Sequence, residues 1–215
     1  MFLLVNLFIT VIMLKYQNKN IIEVGVDECA RGVLFGRIYS AAVIYPLDKV
    51  PIEIENMIND SKKISAKKRE LIYKELIKHV KYNVAYVEND EIDKEGIQPS
   101  NYKAFHNAIN GLNIKPDKIL VDGRCFKQYY HNDDLIDHEC IIKGDGKFLS
   151  IASASIIAKV EHDRYIHDLV KENPELEKYD LLNNMGYGTK NHINAIQKYG
   201  YTKYHRLTYK IKSLN

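Results

Sequence analysis

The chain has 215 residues, 46% hydrophobic and 27% charged, and 31 Lys and Arg against 28 Asp and Glu leave a net charge of +3. That balance excludes a wholly disordered chain and a polytopic membrane protein, and 11 Gly with 5 Pro exclude a fibrous or low-complexity one. The length suits one buried core with at most a small appendage.

The first residues, MFLLVNLFITVIML, are apolar but fall short of the ~20 residues of a membrane helix. They also lack a basic lead and a small-residue cleavage site. Residues 1–20 therefore read as an N-terminal extension: a weak anchor, an extra packed segment, or an upstream start to a frame that begins at Met13. Residues 21–27 then form a β-like run that ends in Asp27-Glu28. Gly32 and Gly36 flank a turn, and 37–45 predict a second strand with Ile38, Ala42 and Ile44 on one face. Ser65 is placed to cap a helix reaching about Val80, striped by Ile72, Leu76 and Val80. A strand over 82–87 and a helix over 101–112 follow, the helix facing Phe105, Ile109 and Leu112 inward.

The run KILVD, 118–122, predicts a buried strand ending in Asp122. Another over 138–142 runs into Lys143-Gly144-Asp145. A long helix is expected over 149–171, and its small-residue half, SIASASIIAKV, permits close approach to another element. Ser153 and Ser155 read there as packing residues, and Lys159, Asp163 and Arg164 as members of local salt bridges. Thr189 can cap a last helix that ends before Gly200. Strands mixed with helices give an α/β domain with helices on the sheet faces.

From Leu181 onward the chain has no Asp or Glu but carries Lys190, Lys198, Lys203, Arg206, Lys210 and Lys212 among tyrosines. Such a mixture suits phosphates and bases, although a solvated helix face has the same composition. Cys29, Cys125 and Cys140 form no CxxC pair and are odd in number, so they read as free thiols in a reducing, cytoplasmic setting. Cys29 itself reads as a small core residue. The acids that end three of the predicted elements repel one another if crowded, unless hard divalent cations such as Mg2+ or Mn2+ sit among them. A strand-end Asp also caps turns, and periodicity alone leaves both readings open.

Eight blocks together carry more: GVDECARG (25–32), DSKKIS (60–65), KRE (68–70), VDG (121–123), KGD (143–145), SIASASIIAKV (150–160), GYGTKNH (186–192) and HRLTY (205–209). In this order and spacing the sequence resembles the ribonuclease HII family, from about residue 22 to 209. The resemblance implies a ribonuclease H-like mixed β-sheet flanked by helices over 21–215, with a small basic C-terminal helical subdomain over about 172–215. It implies that Asp27, Glu28, Asp122 and Asp145 are the catalytic acids and hold two Mg2+ or Mn2+ ions. The implied reaction is hydrolysis 5′ of a ribonucleotide, in RNA–DNA hybrids or in duplex DNA with a single ribonucleotide, leaving a 3′-hydroxyl and a 5′-phosphate. The family's Gly-Arg-Gly loop, which reads the ribose, is Ala30-Arg31-Gly32 here. Tyr187 matches the tyrosine that senses the RNA–DNA junction. Ser61, Lys62 and Lys63 match phosphate contacts, and Arg206 is structural with a further phosphate contact. The replaced glycine also motivates an alternative, a hybrid-binding protein with weak or altered catalysis. No protein partner is implied, and a monomer is expected.

Overall fold

The computed structural model describes residues 13–59 and 61–211. Residues 1–12, most of the predicted N-terminal extension, lie outside the described residues, as do Asp60 and residues 212–215. The strands are β1 (Glu23–Cys29), β2 (Ile38–Ile44), β3 (Lys81–Val87), β4 (Lys118–Asp122), β5 (Tyr129–His131) and β6 (Asp134–Ile141). They form one sheet in the order β3-β2-β1-β4-β6-β5. The pairs β1–β4 and β4–β6 are parallel; β1–β2, β2–β3 and β5–β6 are antiparallel. The helices are α1 (Ile52–Glu55), α2 (Ala66–Leu76), α3 (Asn89–Glu95), α4 (Ile97–Asn110), α5 (Leu149–Glu172), α6 (Leu181–Asn184) and α7 (Lys190–Tyr199). This is the expected mixed sheet flanked by helices, with a helical C-terminal region. Among the described residues no helix is long and apolar enough to cross a membrane.

The alternation of β1 assigns its two faces. Val24 and Val26 pack with Phe105, Ala108 and Ile109 of α4. Cys29 packs on the opposite face with Ala41 and Val43 of β2 and the apolar residues of α5. On that second face α5 touches the backbone of β1. A Cβ placed on Gly25 would lie 2.4 Å from the Ser150 carbonyl carbon and 2.6 Å from the Ile151 nitrogen. The small-residue stretch of α5 thus does what its composition suggested.

Local punctuation largely follows the sequence. Ser65 accepts a hydrogen bond from the Lys68 amide at the start of α2, and Thr189 accepts one from the His192 amide at the start of α7. Gly200, at φ +78, ends α7. Three boundaries differ. The helix capped by Ser65 stops at Leu76 rather than Val80, because the following residues close as turns. The helix predicted from residue 101 begins at Ile97, with Pro99 in its first turn, where a missing amide leaves no helical bond unmade. A whole hairpin, β5–β6, joins through Asn132 and Asp133 at φ +49 and +69. Those left-handed values suit a tight two-residue turn, but Asn-Asp lacks the glycine that announces one.

The end of the N-terminal extension is tied to this body. Leu14 pairs with Phe148, its amide donates to the Lys147 carbonyl at 2.8 Å, and its carbonyl accepts from Leu149 at 2.8 Å. The Gln17 and Asn18 amides donate to the Glu23 carboxylate at 2.8 and 2.9 Å. At the other end, Phe35, Leu176, Tyr179, Leu181 and Ile196 bury against the last turns of α5, so the basic C-terminal region has an apolar core of its own.

Candidate active site

Sheet register brings the acids to one end. Val26 of β1 lies opposite Val121 of the parallel β4, so Asp27 and Asp122 follow as the next residues of adjacent strands. Asp122 in turn pairs with Ile141 of β6, whose chain continues into a short 3-10 turn, Gly144–Gly146, that carries Asp145. The Gly144 amide donates to Asp122 Oδ1 at 2.7 Å, which fixes the Asp145 turn beside Asp122. Asp145 itself is half-buried. Lys143 holds φ +56 just before this turn, an uncommon backbone for a non-glycine residue.

Asp27 is 5% exposed, and its Oδ1 accepts the Glu28 amide at 2.7 Å. Burial, then the charges of Glu28 and Asp122, push its carboxyl well above the usual carboxylate range. Burial also raises Glu28, which Asp122 pushes further up and Arg31 and Lys62 pull down. Glu28 and Asp122 are therefore close enough to oppose the ionisation of Asp27, and Asp122 that of Glu28. Among the described residues, no three His, Cys, Asp or Glu side chains are drawn together as a ready-made cation cage. The donor set nevertheless fits a hard divalent cation, because it is all carboxylate oxygen and its members resist sharing the space as bare anions.

These acids open into a cavity of about 280 Å3, shared with Ala30, Arg31, Gly32, Ser61, Lys62 and Tyr187. Larger hollows of about 530 and 620 Å3 lie beside Arg37 and along α4; the first carries Glu161, Asp168 and Glu172 of α5 beside Arg37 and Arg164, and neither is lined by acids from adjacent strand ends, so chemistry favours the smaller one. Ala30 is buried at φ +70. A Cβ on Gly32 would meet nothing within 4 Å among the described residues, so this position opens to the cavity. Arg31 donates to Gln98 of α4, and its guanidinium stands 3.9 Å from Glu28. The Arg31 carbonyl accepts from Arg206 Nη1 at 3.1 Å and from the Tyr209 hydroxyl at 2.8 Å.

Arg206 corrects an expectation. It is fully buried, with Nε donating to the Gly36 carbonyl at 2.9 Å, and no phosphate can reach it. Its work is to hold the recognition loop from behind. Ser61 is also buried, its hydroxyl 2.9 Å from that of Ser155 and its carbonyl held by Arg69 Nη1 at 2.8 Å. Lys62 is exposed, and Lys63 completes the same 3-10 turn, Ser61–Lys63.

Three contributors escaped the sequence reading. Ser155 of α5 lines the cavity beside Asp27 and draws its carboxyl down, and Lys159, one turn on, lines the cavity with its ammonium 5.6 Å from the Tyr187 ring centre. Asn101 of α4, buried nearby, draws the Glu28 carboxyl down. A signal existed for Asn101: it lies four residues before Phe105, on the inward stripe of its helix, where a polar residue needs a reason. The expected local ion pairs are present, Lys159–Asp163 at 2.7 Å and Arg164–Glu161 at 3.3 Å, and Arg164 also reaches Glu70 of α2 at 2.6 Å. Cys29 is buried and its thiol pushed up to about 12 by burial, in keeping with a core role.

Tyr187 is 39% exposed at the cavity mouth. Its backbone is held by a relay of two buried histidines. The Tyr187 carbonyl accepts from His192 Nδ1 at 3.0 Å, so His192 Nε2 is an acceptor. His205 Nδ1 accepts the Thr202 amide at 2.9 Å, so its Nε2 donates across 3.2 Å to His192. Both rings are thereby neutral. Burial lowers both, His205 to about 3. Their folded values lie below the unfolded ~6.5, so this contribution is complete above that pH and is lost as pH falls through it towards the folded value. Urea unfolding should lose about 1.4 kcal/mol per pH unit for each proton the unfolded chain takes up in excess. His205→Gln should remove one such proton from the slope between pH 6.5 and 5; an unchanged slope would contradict the relay.

A family model described as Ribonuclease HII matches residues 24–212. A ribonuclease HII of Christiangramia forsetii is 44% identical over 202 residues, covering 93% of this chain and 96% of the relative. One of Bacteroides thetaiotaomicron is 41% identical over 203 residues, covering 93% and 94%. Among solved structures, the ribonuclease H2 of Pyrococcus horikoshii is similar with a TM-score of 0.69 and 26% identity, over 87% of this chain and 93% of that one. The ribonuclease HII of Archaeoglobus fulgidus, solved in complex with PCNA, shares the fold at TM-score 0.70 and 21% identity, over 88% and 96%.

Proposed function

The chain belongs to the ribonuclease HII family and is an endoribonuclease of RNA–DNA hybrids, and from that premise we propose that it cuts 5′ of a ribonucleotide with two Mg2+ or Mn2+ ions. The observation that carries this reading is the meeting of Asp27, Glu28 and Asp122, with the Asp145 turn beside them, at the mouth of one cavity next to the loop 30–32. Asp27, Glu28, Asp122 and Asp145 would hold the ions. When bound, such ions activate water and stabilise the leaving oxygen of a phosphodiester.

The remaining work falls to the protein. The backbone of Ala30, Arg31 and Gly32 reads the 2′-hydroxyl, which both donates and accepts hydrogen bonds and has no counterpart on a deoxyribose. Gly32 leaves room for the sugar because no side chain fills the space before it. Tyr187 packs its ring on the adjoining deoxyribose, with Lys159 over the same ring. Lys62 meets a phosphate, with Lys63 next to it, while the buried Ser61 fixes their turn against Ser155. The enzyme acts as a monomer in the cytoplasm.

One assay tests the reading. The protein is incubated with Mg2+ or Mn2+ and three duplexes: all-DNA, DNA with one ribonucleotide, and a long RNA–DNA hybrid. Cuts confined to the 5′ side of ribonucleotides support it; cutting of all-DNA, or binding without cleavage, would overturn it.

Ala30 sets the balance between the last two substrates. At φ +70 an alanine carries about 1–2 kcal/mol of strain that glycine does not. A lone ribonucleotide offers one 2′-hydroxyl and depends wholly on this loop, whereas a hybrid offers many. Ala30→Gly should therefore raise kcat/KM on the single-ribonucleotide duplex relative to the hybrid, by at most about 5–30-fold if all the strain is expressed. Stability should move less, since glycine's greater unfolded entropy and the lost methyl contact offset the relief. An unaltered ratio would clear Ala30 of any part in selectivity.

A further inference from the structure

The last turn of α7 runs into an aromatic and basic surface that the chemistry at the acids does not use. Tyr199 and Tyr201 are 45% and 44% exposed, on either side of Gly200. The ammonium groups of Lys178 and Lys198 lie 5.1 and 4.9 Å from the Tyr199 ring centre. Lys203, also exposed, follows Tyr201 by two residues. We propose that this surface binds single-stranded nucleic acid, stacking unpaired bases on Tyr199 and Tyr201 and holding their phosphates with Lys178, Lys198 and Lys203. It concerns binding alone and goes beyond the cleavage proposed above.

The rings are set from below. Tyr199 meets Tyr179 edge-on at 6.3 Å, and Tyr201 meets His205 edge-on at 5.5 Å. The buried Tyr179 also donates its hydroxyl to the Gly200 carbonyl at 2.8 Å, which fixes the backbone between the two rings. Side chains already ordered lose little freedom on binding. The ground between them is open, because a Cβ on Gly200 would meet nothing within 4 Å among the described residues. The cations are available too. None of the three lysines forms an ion pair among the described residues. Single exposed tyrosines need no explanation, but two on one rigid turn among such cations match a strand-binding surface.

Magnitudes decide between lysine and base at the Tyr199 ring. An exposed ammonium over a ring contributes about 2–5-fold, and a base stacked on it about 5–150-fold. An arriving base therefore displaces the ammonium groups, which then meet the phosphates on either side. Only an unpaired base offers a free face, since a duplex covers its base faces with neighbouring pairs. The surface is also coupled in space to the cavity. His205, beneath Tyr201, lies 5.3 Å from His192, whose Nδ1 donates to the Tyr187 carbonyl. An RNA–DNA hybrid formed inside duplex DNA leaves a displaced strand unpaired beside it, and such a strand is the occupant that fits.

Binding is read by fluorescence anisotropy in EDTA, so that no cutting intervenes. The probes are a labelled oligothymidylate of about ten nucleotides, and an RNA–DNA hybrid that is blunt or carries that oligothymidylate as a tail at either end. A tail at one end or the other should tighten the hybrid by about 5–150-fold. Tyr201→Leu should remove most of that gain and keep the blunt hybrid within about 2-fold, which also controls for folding, while Tyr201→Phe keeps the gain. Lys198→Met should lower the slope of log affinity against log salt for the oligothymidylate by about 0.7.

A tail that adds nothing at either end would overturn the proposal. Equal loss of blunt-hybrid affinity in Tyr201→Leu would do so too, because the surface would then serve the duplex backbone. Displacement of the oligothymidylate by polyglutamate at equal concentration would do the same, since charge without bases would suffice. A wild type that binds the tail but leaves the hybrid uncut would count against the proposed function and keep this one.

Discussion

Asp27→Asn should lower hybrid cleavage by about three orders of magnitude and at the same time raise the melting temperature. The first effect follows from the several kcal/mol of charge stabilisation that a bound divalent ion lends to phosphodiester hydrolysis, at 1.36 kcal/mol per tenfold. Asp27 is the most buried of the acids at the cavity and is pressed by both Glu28 and Asp122. The second effect follows from the sign of its shift. Its folded pKa lies above the unfolded one, so the folded state binds the proton more tightly. Stability is therefore lost as pH rises from the unfolded value through the folded one, and near neutrality the charged carboxylate is a burden. Asn keeps an acceptor for the Glu28 amide while removing the charge. Each kcal/mol relieved raises the melting temperature by about 2–4 °C in a chain of this size. Mg2+ or Mn2+ should stabilise the wild type and leave the variant nearly unmoved, because only a folded site that binds the ion gains from it. Asp145→Asn should lose cleavage in the same way, with duplex affinity largely kept in both. Unchanged turnover in either variant would remove the four-acid assignment.

The elements legible in the sequence were those whose pattern and environment agree. The apolar runs of β1 and β4 are buried strands, and the small residues of α5 lie where backbone meets backbone, at Gly25. Thr189 and Gly200 bracket α7 because capping chemistry is local. The hairpin β5–β6 was half missed because its outer residues, Tyr130 and Leu135, pair across an exposed edge and leave no one-sided apolar pattern.

The candidate site was legible by a different route. Spacing alone left Asp27, Asp122 and Asp145 as turn caps or as partners, and only the blocks around them favoured partnership. Residues that act through another residue carried no such mark. Ser155 reads as one more small residue in a packed helix, and it comes beside Asp27 only because β1 turns odd-numbered side chains towards α5. Composition alone groups Arg206 with the basic surface residues, and only the resemblance gives it a structural role, since a guanidinium is seldom fully buried unless its donors are engaged. What engages it lies some 170 residues away, at the Gly36 and Arg31 carbonyls.

That burial makes Arg206→Met the second large effect, a loss of about 2–4 kcal/mol of folding stability. The Gly36 carbonyl loses the guanidinium Nε at 2.9 Å, and the Arg31 carbonyl keeps only the Tyr209 hydroxyl. The loss is moderated because Nη2 is buried without a partner among the described residues, so part of the guanidinium's desolvation goes uncompensated in the wild type and disappears with the charge. Arg206→Lys should fare little better, as an ammonium cannot span both carbonyls in the fixed fork that arginine provides. Arg206 Nη1 also donates to the Tyr209 hydroxyl at 3.2 Å, so Arg206→Met and Tyr209→Phe should couple by about 0.5–3 kcal/mol in a double-mutant cycle. Denaturant unfolding measures all of these. The decisive companion is the salt dependence of duplex binding. A residue that meets a phosphate contributes about 0.9 to the slope of log affinity against log salt, and replacing it takes that amount away. Arg206 meets carbonyls inside the protein, so Arg206→Met should weaken binding through the loosened Arg31 while leaving the slope as it was. A slope reduced by about one would return Arg206 to the substrate surface.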